Sequence, residues 1–544
     1  MRQPLDNPFY YLDNFERVLA WVGEHHDDLL EPAERAVLHA FPSLPQASRA
    51  LLVRLAMRKG CLFRASRLDY PEIGCPRQAM APLCALGWVE EDPLLELDAL
   101  FALFTLDELR RALPGGARRR KGDWRADLRA QGLAPRRAAD WGLPAEPCYA
   151  LRLEAFCQRL RLMFFGNLHQ DWSAFVLADL GIHRYESVPF SPGSRAFQSR
   201  RELDDYLHLH ACREAFEAGE PALEVLARLP STPFASPWLE SRRGKLLLKL
   251  GLQLERDGAL EQASQVHAGN HYPGARARQV RVLERLGRSA AALALAEAAA
   301  QAPESEEEAQ QLARCLPRLR RAAGQAAPRN RRPGAEATFT LSLPRPDDGR
   351  RVEWAVRDHL HEAAAPVHYV ENGLLNSLFG LLCWEAIFAP LPGAFFHPYH
   401  AAPADLDRGD FVARRAALFD ACLARLDSGE YRACIRRTWA EKHGRLSPFV
   451  HWELLGTELL ALALDCLPAE HLRHCFQRLL HDLKGNRAGL PDLIQFWPAE
   501  RRYRMIEVKG PGDRLQDNQL RWIAHAERHG LPIAVCHVQW APPA

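Results

Sequence analysis

"GLPDLIQFWPAERRYRMIEVKGP", from Gly489 to Pro511, reads as a strand, a turn and a second strand. Alternate residues of a strand share a face, so Glu507 and Lys509 point one way while Ile506 and Val508 point into a core. The connecting PAERR is short enough for an antiparallel hairpin. That pairing brings Asp492, at the start of the first strand, to Glu507 near the end of the second. Two carboxylates a few ångströms apart repel, and one takes up a proton unless a cation lies between them. A hard divalent ion such as Mg²⁺ or Mn²⁺ answers that need, because it prefers carboxylate, carbonyl and water oxygens. Lys509 would then stand beside the metal, where it can orient a water or stabilise charge building on a phosphate. The competing reading is a surface hairpin carrying a Glu–Lys pair.

The residues that follow favour the metal. Gly510-Pro511-Gly512 end the strand, and DRLQDNQLRWIAHAERHG predicts a helix closed by Gly530, with Leu515, Trp522, Ile523 and Ala526 on its apolar face. Gln519 falls on that same face, where a polar side chain needs a partner such as the metal site or DNA. LPIAVCHVQW supplies another strand. The order strand–strand–helix–strand is the core of the PD-(D/E)xK nucleases. GLPDLIQF, IEVKGPGDRLQDNQLRW and VCHV resemble the VRR-NUC domain, most closely that of the Fanconi-associated nuclease family. YYLDNFERVLAWV, LVRLAMRKGCLFRASRLDYPEI and DWSAFVLADLGIHRYESVPF are similar to the N-terminal region of that family, so the resemblance covers most of the chain.

The resemblance implies a further catalytic glutamate opening an upstream helix, and VHYVENGLLNSLFGLLCWEAIF supplies Glu371. Leu375, Leu378 and Leu382 follow it at helical spacing, which puts the carboxylate at the N-terminal end of a buried face. A helix N-terminus favours a carboxylate in any case, so a simple cap is the alternative. Glu371, Asp492, Glu507 and Lys509 are the catalytic set implied. Glu371, Asp492, Glu507 and the Val508 carbonyl would hold one or two Mg²⁺ or Mn²⁺ ions. The implied activity is cutting near the junction of a 5′ flap, with 5′-to-3′ exonuclease action, in DNA interstrand crosslink repair. Two other readings stay open on the residues: a non-catalytic scaffold for branched DNA, disfavoured by intact Asp492, Glu507 and Lys509, and a restriction-type endonuclease, disfavoured because no helix rich in Asn, Gln and Arg stands out. Eukaryotic members carry a ubiquitin-binding zinc finger. No Cys₂His₂ spacing occurs here, so neither zinc nor ubiquitin binding is expected, and the chain looks like a bacterial form.

The rest of the chain predicts a multi-domain, mainly α protein. Its 544 residues, 47% hydrophobic and 25% charged, exceed what one core supports. Residues 1–104 show helical periodicity and end in MAPLCALGWVEED, a helix followed by a short strand. Residues 105–200 open with a helix, a basic glycine-containing turn and a helix (Thr105 to Gly132), resembling a SAP-type DNA-binding element. Residues 201–325 read as a tetratricopeptide-like helical domain, because LERDG at Leu254 and LERLG at Leu283 repeat before alanine-rich helices. A Pro-, Gly- and Arg-rich linker over 326–350 holds one strand-like stretch, and 351–544 form the α/β nuclease domain.

The net charge of +2 hides an excess of arginine over lysine, and arginine offers a fixed fork of donors for phosphate. Candidate phosphate contacts are Arg118, Arg119, Arg120 and Lys121 in the SAP-like turn and Arg242, Arg243 and Lys245 in SRRGKLLLKL. Asn486 and Arg487, just before Gly489, are candidates for a phosphate near the metal. Of the histidines, His208 and His210 with Cys212 read as structural, His397 and His400 as packing in a proline-rich loop, and Glu385 as a salt bridge or a support of the site. The 13 cysteines form no C-x-x-C pair, the first residues carry no signal-peptide core, and no apolar run is long enough to span a membrane. These features predict a cytoplasmic protein that binds no membrane, and the resemblance to a bacterial DNA nuclease implies that it is nucleoid-associated.

Overall fold

Short-range signals place the N-terminal helices. Glu31 and Glu34 close a capping box on the Pro32–Ala40 helix, and Thr105 and Glu108 close another on the Leu106–Ala112 helix. The computed structural model describes residues 7–116, 120–144, 146–190, 194–326, 337–346 and 349–541. The chain divides into two compact units. The first comprises residues 1–185, 189–203 and 395–399; the second comprises 186–188, 204–394 and 400–544.

In the first unit, three short strands form an antiparallel sheet in the order β1-β3-β2: β1 (Leu62–Arg64), β2 (Val89–Glu91) and β3 (Cys148–Leu151). Only β2 is predicted by the sequence; β1 and β3 lack the alternation that marks a strand at this length. The SAP-like element is a helix–turn–helix of Leu106–Ala112 and Lys121–Ala130. Trp124 anchors it, 1% exposed, with its ring edge-on to Phe101 at 5.1 Å and its indole N–H donated to the Pro114 carbonyl at 3.0 Å. A Cβ at Gly116 would lie 2.5 Å from that ring, so the turn needs glycine for close approach.

In the second unit, the helices Pro237–Arg256, Leu260–Ala268, Ala275–Arg285, Ser289–Gln301 and Glu306–Ala322 stack each on the next, as paired-helix repeats do. The nuclease sheet has five strands in the order β4-β8-β7-β6-β5: β4 (Thr338–Leu343), β5 (Val367–Tyr369), β6 (Leu493–Trp497), β7 (Arg502–Lys509) and β8 (Ile533–Trp540). β6 and β7 form the expected antiparallel hairpin, and β7 runs parallel to β8. A parallel pair needs a crossover, which the Asp517–Arg528 helix provides. β4 pairs parallel with β8, so the strand-like stretch of the expected linker belongs to the nuclease sheet, and that sheet begins before residue 351. Leu493, Ile506, Val508 and Cys536 pack with Val356 of the Val352–Leu360 helix to form the core on one face.

Candidate active site

The hairpin register sets the first two carboxylates. Leu493 faces Ile506, so Asp492 and Glu507 stand opposite one another one step further along the ladder, on one face. Ile506 and Val508 face the core as alternation requires. Asp492 Oδ2 accepts the Val508 N–H at 2.9 Å. A strand residue sends its N–H and C=O to the same edge, so the Val508 carbonyl projects on the Asp492 side. Glu507 Oε1 receives Lys509 Nζ at 2.8 Å and Gln519 Nε2 at 2.6 Å. Gln519 thus finds its partner in a carboxylate of the site.

Glu371 arrives by backbone pairing. The Val370 N–H donates to the Asp492 carbonyl at 2.8 Å, which extends the β5–β6 ladder and sets Glu371 beside Asp492. Asn372, at φ 52°, turns the chain in the left-handed region that Asn tolerates, and its side chain accepts the Leu490 N–H at 3.1 Å. Asn376 ties the same corner down through the carbonyls of Asn372 and Arg487. Opposite, a Cβ at Gly489 (φ 88°) would sit 2.8 Å from the Asn518 backbone, so only glycine fits between the hairpin and the crossover helix. Glu371 precedes the buried Leu374–Leu382 helix in the turn and does not open it. Its carboxylate is exposed, not buried as a residue opening an apolar face would be, and accepts the Tyr369 hydroxyl.

Burial is the main cause that raises both central acids. Asp492 is pushed up to about 6, with the charges of Glu353 and Glu371 adding to desolvation and the Val508 N–H opposing it. Glu507 is pushed up to about 8 by desolvation and by Asp492 and Glu371, against Lys509. Carboxylates raised in this way are the donor set a hard divalent cation satisfies. Among the described residues no ready-made group of three or more His, Cys, Asp or Glu ligands is formed. Glu507 is held by Lys509 and Gln519, and Glu371 by Tyr369.

Three domain families match the chain. The FAN1 HTH domain matches residues 9–90, the Fanconi anemia-associated nuclease SAP domain 94–141, and the VRR-NUC domain 427–540. The Fanconi-associated nuclease 1 homolog of Pseudomonas aeruginosa is 57% identical, over 98% of this chain and 97% of that protein. The chain belongs to the Fanconi-associated nuclease family. The Oryza sativa homolog is 24% identical over 97% of this chain and 62% of its own length. A crystal structure of paFAN1 bound to 5′ flap DNA, with a two-nucleotide flap and a gap, superposes with a TM-score of 0.94 at 57% identity over 100% of both chains.

Within this Fanconi-associated nuclease, the other candidates divide. Arg120 and Lys121 are exposed at the start of the Lys121–Ala130 helix, while Arg118 and Arg119 lie outside the described residues. Lys245 is exposed, and the Arg242 guanidinium lies 4.4 Å from the Trp238 ring and 4.7 Å from that of Tyr206. Arg243 leaves the phosphate set: it is buried and donates to the Pro230 and Ser231 carbonyls and to Glu240. Asn486 leaves it too, since its side chain is buried and donates to the Arg478 carbonyl at 2.8 Å. Arg487 keeps part of its surface, 5.2 Å over the Phe449 ring. His208 and Cys212 lie inside the Arg200–Glu217 helix, and His208 Nε2 bonds the Arg228 carbonyl. His397 and His400 are buried. Glu385 pairs with Arg425 on the wall of a cavity of about 530 Å³ that includes none of Glu371, Asp492 and Glu507.

The residue that sequence reasoning missed is Glu353. It stands in the first turn of the Val352–Leu360 helix, and its charge acts on Asp492. VEWAVRDHL is an ordinary amphipathic helix with a glutamate near its start, where the helix dipole accounts for an acid, so no local signal marks it.

Proposed function

We propose that this protein is a metal-dependent 5′ flap endonuclease and 5′-to-3′ exonuclease that acts on crosslink-repair intermediates of bacterial chromosomal DNA, in the cytoplasm. The observation that carries the reading is the convergence of Asp492, Glu507 and Glu371 beside Lys509, in a relative of a nuclease crystallised on 5′ flap DNA. Glu371, Asp492, Glu507 and the Val508 carbonyl would hold one or two Mg²⁺ or Mn²⁺ ions. A bound divalent ion supplies Lewis-acid stabilisation of the phosphate and a more acidic water. Gln519 fixes the rotamer of Glu507 by its 2.6 Å hydrogen bond, so that carboxylate is aimed before substrate arrives. Lys509, 9% exposed, holds its ammonium next to Glu507, where it can donate to an attacking water or to a non-bridging phosphate oxygen. Tyr369 donates its hydroxyl to Glu371 and so restrains that carboxylate.

Cleavage of 5′ flap, blunt duplex and single-stranded substrates of several sequences, with Mn²⁺ and with EDTA, tests the reading. Metal-dependent cutting of flaps irrespective of sequence is expected. Binding without cutting would leave the scaffold reading, and cutting at one sequence the restriction reading.

Glu371→Gln removes charge with little change of shape. Weaker Mn²⁺ affinity and slower cleavage are expected, with the melting temperature held. A fully active variant with a slightly lowered melting temperature would reduce Glu371 to a dipole effect of about 0.3–1 kcal/mol.

Arg120 and Lys121 are proposed to contact the DNA backbone. Reversing both charges should weaken flap binding evenly across sequences and reduce the slope of log K against log salt by about 2. An unchanged slope would place the SAP-like turn away from the phosphates.

A further inference from the structure

Three buried cysteines meet in one corner of the second unit. Cys383 ends the Leu374–Leu382 helix, Cys422 stands within the Ala416–Ser428 helix and Cys434 within the Tyr431–Lys442 helix. All three are free thiols. The Cys383 S–H donates to the Cys422 sulfur, and the Ala386 N–H bonds that same sulfur. Arg425, three residues on from Cys422, donates to Cys434 Sγ at 3.1 Å and to Glu385 at 3.1 Å.

A thiol buried among apolar groups is ordinarily inert, because burial disfavours the thiolate. Cys157 and Cys475 follow that rule, and desolvation pushes both up to about 12. Cys422 departs from it. The Cys383 hydrogen bond, the Arg425 charge and the Ala386 N–H outweigh burial and hold its thiol below the ordinary value. Cys383 is driven the other way, by desolvation and by Cys422 itself, so the two thiols divide into a nucleophile and a proton donor. Solvent also comes near. Leu418, Trp384 and Glu385 line the cavity of about 530 Å³. Leu418 precedes Cys422 by one helical turn and is exposed, and Trp384 directly follows Cys383.

We propose that Cys383 and Cys422 form a peroxide-sensitive dithiol, a site of reversible oxidation to an intrachain disulfide. The Cys422 thiolate attacks one oxygen of hydrogen peroxide and the O–O bond breaks. The sulfur becomes a sulfenic acid, and the departing hydroxide takes a proton to become water. The Cys383 sulfur then attacks the Cys422 sulfur, and its proton leaves with the hydroxyl as a second water. In sum two thiols lose two electrons and two protons, and one peroxide becomes two waters. A dithiol reductant resets the pair by exchange. Cys434 is not the resolving thiol, because Arg425 holds its sulfur while the hydrogen bond to Cys422 comes from Cys383. The new bond ties the end of the Leu374–Leu382 helix to the Ala416–Ser428 helix and closes a long loop, which constrains the unfolded chain.

The test uses the reduced full-length protein as wild type, Cys383→Ser and Cys422→Ser, exposed to rising hydrogen peroxide. Remaining thiols are alkylated, and the digested chain is mapped by mass spectrometry. Wild type should yield a Cys383–Cys422 cross-linked peptide at peroxide levels that leave the exposed Cys75 alkylated, and dithiothreitol should remove it. Cys383→Ser should stop at a sulfenic acid on Cys422, which dimedone labels, and Cys422→Ser should leave Cys383 reduced. The melting temperature of oxidised wild type should exceed that of the reduced protein, an increment absent from both variants. Should a serine variant fail to fold, the wild-type map decides alone. Cys383 and Cys422 both still alkylated once Cys75 is oxidised would overturn the inference. So would a bond from Cys422 to Cys434, or a Cys383–Cys422 bond that forms as readily in guanidinium-unfolded protein.

Discussion

Replacing Asp492 or Glu507 with alanine is expected to lower flap cleavage by at least about 10²-fold, by analogy with losing one preorganised electrostatic stabiliser. Binding of uncleaved flap should persist. Both carboxylates are buried, at 7% and 1% exposure, and neither is committed to holding the fold. Asp492 accepts one backbone N–H, and Glu507 accepts from Lys509 and Gln519, which are themselves polar groups of the site. The alanine therefore removes donor atoms from the reaction without opening the apolar core beneath, where Leu493, Ile506 and Val508 remain. DNA affinity draws on cations elsewhere, so it should change little. Single-turnover cleavage and equilibrium binding on the same substrate separate the two. Either variant cutting at more than about a tenth of the wild-type rate, against the loss expected for one stabiliser, would strike that residue from the ligand set.

The parts of this site that sequence reveals are those that neighbouring residues impose on each other. Period-two alternation fixes which of Ile506, Glu507, Val508 and Lys509 face the core, and the short PAERR connection fixes the register that opposes Asp492 to Glu507. Gln519 was legible because a polar residue on an apolar helical face must meet something polar, and it meets Glu507. Glu371 needed the family resemblance, since the Val370–Asp492 backbone bond that places it joins distant segments. Glu353 and Tyr369 were invisible for the same reason: the sheet order β4-β8-β7-β6-β5 and the helix covering it bring them in, and neither carries a local pattern. Arg243 and Asn486 failed in the opposite direction. Each looks available in the sequence, but tertiary packing buries both and uses their donors on backbone carbonyls. The strand Thr338–Leu343 shows the same limit, because pairing with β8 turns a Pro- and Arg-flanked stretch into a sheet edge.

Without metal, Asp492→Asn is expected to be more stable than wild type at neutral pH, although inactive. The folded protein holds the Asp492 carboxyl at about 6, above its ordinary 3.8, chiefly because burial disfavours the charge. A raised folded pKa means that the native state binds the proton more tightly than the unfolded chain. Wild-type stability from this group is thus fully present below the unfolded value near 3.8, and is lost as pH rises through the folded value near 6. A shift of roughly two units corresponds to about 3 kcal/mol, the upper size of the gain from neutralising the side chain. Asparagine keeps an oxygen to accept the Val508 N–H, and its neutrality also removes the repulsion that Asp492 exerts on Glu507. In EDTA the two proteins should therefore melt together at pH 4 and diverge toward pH 7, with Asp492→Asn higher. Saturating Mn²⁺ should reverse the order, because an ion bound only by the native state stabilises by RT ln(1 + [L]/Kd) and the variant has lost a ligand. Melting curves of both proteins across that pH range, with and without Mn²⁺, decide the matter. Equal melting temperatures in EDTA at every pH would show that Asp492 carries no electrostatic strain in the metal-free fold, and would remove the physical reason for placing a cation there.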